Sequence, residues 1–198
     1  DRVELLQACV DSIIGRTAYP RDKYEIIVVN NGSSEQRTIV YLEQAKSNGS
    51  FIVLDDNEEF NYSRLNNYAV ANSKSDVVVF LNNDTVIVQP DWLDRLVNQA
   101  SIADVGAVGV KLLYPDLTVQ HGGVILGIQG VAAHAFVNLS QDAPGYRGLA
   151  TIDHEVSAVT GACLAIRREV FHAIGGFDEN LQVAFGDTLL CVMARKKG

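Results

Sequence analysis

The stretch from Val77 to Thr85 constrains the fold more than any other part of this chain. Five apolar residues, Val-Val-Val-Phe-Leu, end abruptly in Asn82, Asn83, Asp84 and Thr85. A continuous apolar run is typical of a strand buried on both faces, as in parallel sheets covered by helices. In open α/β sheets, ligands bind just beyond the carboxyl ends of the strands. Asp84 is therefore predicted to lie where a cation and a phosphate could meet.

Apolar runs of the same kind alternate with helical patterns through the first half of the chain. The predicted helices cover residues 2–14, 34–46, 63–71, 90–100, 169–174 and 187–197, and the predicted strands cover 25–29, 51–54, 77–81, 105–113, 119–128 and 156–166. The initial β-α-β-α-β order with short connections favours a parallel sheet with right-handed crossovers. Residues 138–152 lack periodicity and are predicted to form a long loop. We expect one α/β domain over residues 1–198, cut from a longer chain.

The composition limits the classes of molecule that this chain is expected to bind. The formal net charge of -8 and the pI near 4.9 argue against a nucleic-acid surface, which needs clustered Lys and Arg. An acidic protein can still bind an anionic nucleotide where a divalent metal supplies positive charge. Three widely separated cysteines favour a reducing compartment. No signal peptide and no apolar run of about 20 residues is visible, so we expect a cytoplasmic protein, either free or peripheral at the inner face of the membrane.

Two polar segments at strand ends are candidate ligand sites. Asn82, Asn83 and Asp84 suit Mg²⁺ or Mn²⁺, which take oxygen ligands and leave positions for substrate phosphates, although the same residues also form ordinary turns. Asn30 and Asn31 follow another apolar strand and precede a helix. They could hold a base or ribose edge, or simply form a capped turn; the two interpretations are compatible.

The second half of the chain offers further candidates. Gly161 could let a ligand approach the backbone closely, or could allow tight packing against a helix. Asp187 begins the last predicted helix, where the helix dipole favours a carboxylate, and a plain N-cap is the alternative. The histidines lack the spacing of a helical zinc pair and are interpreted as ordinary partly buried residues. His134 stands out among them, within Ala132-Ala133-His134-Ala135-Phe136.

These segments together resemble a known family. The motifs that carry the resemblance are, in order, EIIVVNNGSSE, FNYSRLNNYAVANSKSDVVVFLNNDT, QPDWLDRLV, HGGVILG, TGACLAIRREVF and GGFDENL followed by an Asp-led helix. They closely resemble glycosyltransferase family 2, whose members have the GT-A fold, a Rossmann-like and mostly parallel central sheet flanked by helices. The resemblance covers nearly the whole chain. It is greatest to bacterial proteins of O-antigen, rhamnan and other surface-polysaccharide synthesis.

The resemblance implies inverting transfer of a sugar from a UDP-, GDP- or dTDP-sugar donor to a hydroxyl of a glycan or lipid-linked acceptor. It implies that Asp84 binds Mg²⁺ or Mn²⁺ on the diphosphate and that Asp187 is the catalytic base. The matching positions on the donor side are Asn30, Asn31, Asn66, Asn82 and Asn83, and those facing the acceptor are Gly161 and Ala162.

The chain departs from the family pattern in three places. The family's first strand is missing ahead of Asp1, Gly186 stands where Glu or Asn is usual, and Leu189 stands where a second Asp is usual. The last two departures favour an alternative hypothesis, a glycosyltransferase-like module that binds or assembles without catalysing. A sugar-nucleotide nucleotidyltransferase is disfavoured, because no Gly-rich phosphate loop with Lys or Arg follows the first strands.

Overall fold

The computed structural model describes residues 1–128 and 130–198. The helices are α1 (Val3–Arg16), α2 (Gln36–Asn48), α3 (Tyr62–Ala71), α4 (Trp92–Ala100), α5 (Arg168–Ala173) and α6 (Gly186–Lys197). The strands are β1 (Ile27–Asn31), β2 (Ile52–Asp56), β3 (Val77–Leu81), β4 (Ala107–Gly109), β5 (Leu112–Leu113), β6 (Val119–His121), β7 (Val124–Leu126), β8 (Ala132–His134) and β9 (Cys163–Arg167). The six helices and the first three strands lie within two residues of their predicted bounds, which confirms the expected α/β class.

The strands form mixed ladders. β1 and β2 pair in parallel, with Asn30 opposite Asp55 and Asn31 opposite Asp56. β3, β9 and β4 form a separate three-stranded sheet in which β9 lies in the middle and both pairings are antiparallel. The expected parallel arrangement therefore holds for β1 and β2. β3 instead pairs with a strand that the sequence places more than 80 residues later.

β9 is buried on both faces and organises the main core. Leu164 and Ile166 pack with a cluster of aromatic residues that includes Phe80, Phe171 and Phe177. Cys163 and Ala165 face the other way and pack against α4. This two-sided burial explains why the strand is continuously apolar rather than alternating.

The region before β9 was predicted incorrectly. A strand was expected over residues 156–166, but the regular strand begins only at Cys163. The cause is a turn over Thr160, Gly161 and Ala162, closed by a 3.3 Å bond from the Cys163 N–H to the Thr160 carbonyl. The predicted strands over 105–113 and 119–128 are each split into two short strands, and the loop over 138–152 contains a 3₁₀ segment at Tyr146–Thr151.

Helix α1 packs against both the β1–β2 sheet and the sheet formed by β3, β9 and β4. One part of its apolar face packs with α2 and β1 through Leu6 and Val10. Cys9 and Ile13 form a second cluster that includes both Ile26, ahead of β1, and Leu81, at the end of β3. Because α1 contacts both sheets, the carboxyl ends of β1 and β3 are held in one rigid frame. Within the described residues, none of the helices is long and apolar enough to cross a membrane.

Candidate active site

Asp187 is held at the start of α6 by two backbone donors. The Gly161 N–H donates to Oδ2 at 2.8 Å, and the Thr188 N–H donates to Oδ1 at 2.7 Å. Helix α6 begins at Gly186, and its N-cap is Phe185, so Asp187 is not the N-cap that the simpler interpretation assumed. A carboxylate has about four lone-pair sites. The two backbone bonds therefore orient Asp187 and leave acceptor capacity on both oxygens.

Gly161 is needed where it stands. A Cβ at this position would lie 2.7 Å from the Tyr62 hydroxyl and 3.5 Å from Cβ of Asp187. The interpretation as tight packing against a helix is therefore correct, and the Gly161 N–H is in addition donated to Asp187. The Gly161 carbonyl accepts a hydrogen bond from the Tyr62 hydroxyl at 3.1 Å.

Tyr62 is a part of this site that sequence reasoning missed. Burial, followed by the charge of Asp187, raises the pKa of Tyr62 to about 12, so its hydroxyl stays protonated and can donate. Asn66, one turn further along α3, donates its side-chain amide to the Tyr62 carbonyl at 2.8 Å. Asn66 therefore lies behind Tyr62 within the helix. Tyr62 could have been noticed, because it falls inside the quoted FNYSRLNN motif.

The segment ahead of α6 is tied to α3 as well. Gln182 accepts the Tyr62 N–H at 2.7 Å, and Leu181 accepts the Ser63 hydroxyl at 2.7 Å, both through backbone carbonyls. Gly186 is buried, and a Cβ there would lie 3.1 Å from the Ser63 hydroxyl. Close packing against α3 therefore gives a physical reason for glycine at this position.

The turn after β3 connects Asp84 to the same site. The Asn82 N–H donates to the Ala162 carbonyl at 3.0 Å, and the Asn82 carbonyl accepts the Thr85 hydroxyl at 2.7 Å. Ala162 adjoins Gly161, so backbone bonds link the β3 turn to the Asp187 site. Asn83 and Asp84 project into solvent from this turn. The interpretation of this segment as a turn is therefore correct.

The surroundings of Asp84 suit a metal ion that takes some of its ligands from the protein and the rest from a substrate. Among the described residues, no donor group bonds the Asp84 carboxylate, and no group of three or more His, Cys, Asp or Glu side chains could hold an ion alone. One free carboxylate beside an exposed amide fits Mg²⁺ or Mn²⁺, which bind through one or two carboxylates plus substrate phosphates.

Asn30 and Asn31 lie at the carboxyl end of β1, away from the Asp187 site. Asn30 donates to the Asp55 carboxylate at 2.9 Å and accepts the Ser33 N–H at 3.2 Å. Asn31 donates to the Asp56 carboxylate at 3.1 Å and to the Glu58 carbonyl at 2.9 Å. Both amides are thus engaged by the end of β2, and the capped-turn interpretation applies to Asn30.

Asp56 and Arg64 link this end of β1 to α3. The two side chains form an ion pair, and the Arg64 guanidinium holds the pKa of Asp56 below its usual range. Arg64 and Tyr62 lie two residues apart in the first turn of α3. One turn of helix therefore contacts both the β1–β2 end and the Asp187 site. Asp55 and Asp56, the carboxylates at the end of β2, are visible in the sequence but were not predicted as part of the site.

A cavity of about 220 Å³ opens beside Asp187. Its lining comes from the β7–β8 hairpin and the start of α6, namely Val124, Ala132, Ala133, His134, Ala184, Phe185, Asp187 and Thr188. A larger depression of about 410 Å³ lies at the opposite, amino-terminal ends of β1 and β2. It contains none of the candidate site residues. The smaller cavity is therefore the relevant one, since it contains the oriented carboxylate.

The structure thus brings together Asn82, Ala162, Gly161 and Asp187 by direct hydrogen bonds. It places Asn66 behind Tyr62, and Asn83 and Asp84 on the adjoining turn. Asn30 and Asn31 lie on the other sheet, and Asn31 is linked to α3 by way of Asp56, which pairs with Arg64.

Comparison with known proteins finds relatives of much greater length. The chain is 44% identical over its full length to the uncharacterized protein y4gI of Sinorhizobium fredii, and 40% identical to the O-antigen biosynthesis protein RfbC of Myxococcus xanthus. It spans only 22% and 15% of the length of these two relatives.

Solved glycosyltransferases share the fold. The mannosyltransferase PcManGT of Pyrobaculum calidifontis, solved with GDP-Man and Mn²⁺, aligns over 96% of this chain and 48% of its own, with a TM-score of 0.68 and 19% identity. GalNAc-T7, solved with UDP, GalNAc and Mn²⁺, aligns over 96% of this chain and 38% of its own, with a TM-score of 0.72 and 19% identity. The fold is therefore GT-A.

A sequence profile of the family described as "Glycosyl transferase family 2" matches residues 1–175, which include every candidate site residue except Asp187. With its GT-A fold, and with a full-length match to a protein of O-antigen biosynthesis, this chain belongs to glycosyltransferase family 2.

Proposed function

We propose that this chain transfers a sugar, with inversion, from a nucleoside diphosphate sugar to an acceptor hydroxyl. The observation that carries the proposal is the Asp187 carboxylate, which two backbone N–H groups orient beside an open cavity. We call Tyr62, Gly161 and Asp187 the acceptor-side centre. We call Asn30, Asn31 and Asp84 the donor-side edge.

In this proposal Asp187 is the general base. A carboxylate within hydrogen-bond reach of the attacking hydroxyl accepts its proton as the new bond forms. The bonds from Gly161 and Thr188 fix the carboxylate before the acceptor arrives, which lowers the cost of reaching the reactive geometry. Attack on the face opposite the leaving group inverts the anomeric carbon.

The donor-side edge binds the nucleotide in this proposal. Asn30 and Asn31 border the nucleoside, and Asp84, with the amide of Asn83, holds Mg²⁺ or Mn²⁺. When bound, such a metal neutralises charge that develops on the departing diphosphate. Two solved glycosyltransferases of this fold were determined with Mn²⁺ and a nucleotide or nucleotide sugar, which supports this assignment.

The acceptor in this proposal is a growing surface polysaccharide, carried as a glycan or on a lipid. The support is the 40% identity to the O-antigen biosynthesis protein RfbC over the full length of this chain. Because nucleotide sugars are cytoplasmic metabolites, we place the reaction in the cytoplasm, at or near the inner face of the membrane.

The test uses the full-length protein and a panel of UDP-, GDP- and dTDP-sugars with Mn²⁺. Release of nucleoside diphosphate from one donor is expected in the wild type. Asp187→Asn should lower turnover by about 10²- to 10⁴-fold, because it removes the general base. Asp84→Asn should instead abolish the Mn²⁺-dependent rise in melting temperature that a nucleoside diphosphate produces.

Asp104→Asn is the matched control, since Asp104 is an exposed carboxylate on the turn after α4. Equal turnover in the wild type and in Asp187→Asn would remove Asp187 from the base role. Metal-dependent nucleotide binding without any turnover would support the alternative of a non-catalytic module.

A further inference from the structure

Two histidines meet at the wall of the Asp187 cavity. Nδ1 of His121, at the end of β6, lies 2.7 Å from Nδ1 of His134, at the end of β8. The two rings cross at 79° with their centroids 4.9 Å apart. His121 is only 1% exposed, whereas His134 is exposed and lines the cavity. A buried polar ring therefore supports an accessible one.

The contact restricts the protons of both rings. A hydrogen bond between two Nδ1 atoms needs one proton, so one nitrogen donates and the other accepts. Burial, and then the neighbouring His134, lowers the pKa of His121 to about 4, so His121 is neutral near pH 7. Because His134 uses Nδ1 for this bond, its Nε2 is the ring nitrogen left for a ligand.

Phe185 lines the same cavity next to Asp187. Its side chain is 48% exposed, and its backbone has φ 63° and ψ 0°. This left-handed conformation is unusual for a bulky residue and marks strain that the surroundings must maintain. An exposed aromatic ring is thus presented to the cavity at a local energetic cost.

We propose that the cavity beside Asp187 binds the acceptor sugar, with His134 Nε2 hydrogen-bonded to a sugar hydroxyl and the Phe185 ring against an apolar face of the sugar. The assignment rests on the proposed function, because Asp187 would deprotonate another hydroxyl of that sugar. His121 is a positioning residue that acts only through His134.

The chemistry of the lining suits a sugar ring. The wall contains apolar Val124 and Ala132, one exposed aromatic ring, one free imidazole nitrogen and one carboxylate. Ligand sites typically combine mostly apolar walls with a few fixed polar groups. A pyranose matches this pattern, since it has apolar C–H faces and hydroxyls around its edge. At about 220 Å³ the cavity accommodates one sugar unit rather than an oligosaccharide.

Two conservative substitutions of His134 test the proposal. Asn places its amide near the position of Nδ1, so His134→Asn keeps the bond to His121 and removes Nε2. Gln places its amide near the position of Nε2, so His134→Gln does the reverse. The probes are the methyl glycosides of glucose, galactose, mannose and N-acetylglucosamine. Their dissociation constants are measured on the full-length protein by saturation-transfer NMR.

We expect at least one glycoside to bind the wild type. His134→Asn should weaken that glycoside by about three- to ten-fold, the usual effect of one lost hydrogen bond, while His134→Gln stays closer to the wild type. A purely structural role predicts the opposite order, because only His134→Asn keeps the contact with His121. His172→Asn, an exposed histidine of α5, is the matched control.

Donor hydrolysis without acceptor separates this proposal from the proposed function. Donor hydrolysis by the wild type and by the control His172→Asn, together with glycoside binding that His134→Asn weakens, supports both. Glycoside binding that depends on His134, without turnover of any donor, supports the sugar site and overturns the transferase assignment. The sugar site is overturned if no glycoside binds the wild type, or if binding is equal in the wild type and His134→Asn.

Discussion

The acceptor-side centre and the donor-side edge differ in how much of each is built by the protein itself. In the acceptor-side centre, Asp187 is fixed by backbone N–H groups, and a glycine lies where any larger residue would meet Tyr62. In the donor-side edge, Asp84 projects into solvent, and Asn30 and Asn31 are held by carboxylates at the end of β2. One region is preorganised by backbone, and the other is formed by side chains near the surface.

This difference indicates which region needs a bound substrate to complete its site. Backbone donors in a packed region hold a carboxylate at little entropic cost when the ligand binds. An exposed carboxylate without bonded donors is free to share a metal with phosphates. We therefore expect substitutions in the acceptor-side centre to affect folding, and substitutions in the donor-side edge to affect nucleotide binding alone.

The largest expected effect on stability concerns the buried histidine next to the acceptor-side centre. His121 has a pKa of about 4 in the folded protein against an ordinary value of 6.5. Between these values the unfolded chain binds a proton that the folded chain does not, so stability is present above pH 6.5 and is lost as the pH falls to 4. The loss should amount to about 3 kcal/mol.

Urea unfolding at a series of pH values measures this effect. His121→Asn should remove that part of the pH dependence, while His172→Asn should keep it. His134 and Asp187 are the titratable groups that act on His121. The change of unfolding free energy with pH must therefore be compared between the wild type and the variants. If the unfolding free energy changes with pH equally in the wild type and in His121→Asn, then His121 is not neutralised by burial.

A smaller effect is expected for Gly161→Ala. The new Cβ would lie 2.7 Å from the Tyr62 hydroxyl, and such overpacking typically costs about 1–3 kcal/mol. Tyr62→Phe removes the obstructing oxygen, at a cost of about 1 kcal/mol for the lost hydrogen bond. The double variant should therefore be more stable in urea than the sum of the single effects predicts. Simple additivity would contradict the proposed contact.

The smallest effect on folding is expected at Asp56, which supports Asn31 of the donor-side edge. Asp56→Asn removes the charge that pairs with Arg64 and loosens the support of Asn31. The melting temperature should change only slightly, because the pair is partly buried but Asn keeps a side-chain oxygen that still accepts a hydrogen bond from Arg64. Binding of UDP or GDP, measured by calorimetry with Mn²⁺, should weaken by no more than a few-fold.

Glu43→Gln is the control for general loss of negative charge, since Glu43 pairs with Lys46 away from Asn31. Unfolding of Asp56→Asn at a much lower temperature would show that the donor-side edge is as tightly built as the acceptor-side centre. The comparison between the two regions would then fail.

Individual elements show which features could be predicted from the sequence. The strand Val77–Leu81 was predicted with its observed bounds, because its apolar run and polar stop are local properties. The strand before Arg167 was predicted too long, because the turn at Gly161 depends on contacts with Tyr62 and Asp187 from distant parts of the chain. Asp56 and Arg64 were overlooked, since their pairing joins a strand end to a helix.

Local patterns of residues were sufficient to predict the α/β class, the helix bounds, the polar ends of β1 and β3, and the motifs that resemble the family. These features rest on local periodicity and on short spacings along the chain. The folded structure was needed to see that β3 pairs with β9, that Gly161 and Thr188 hold Asp187, and that His121 supports His134 at the cavity wall. Each of the pairings by Gly161 and His121 joins residues at least 13 positions apart, and a hydrogen bond of that kind depends on packing that no local pattern specifies.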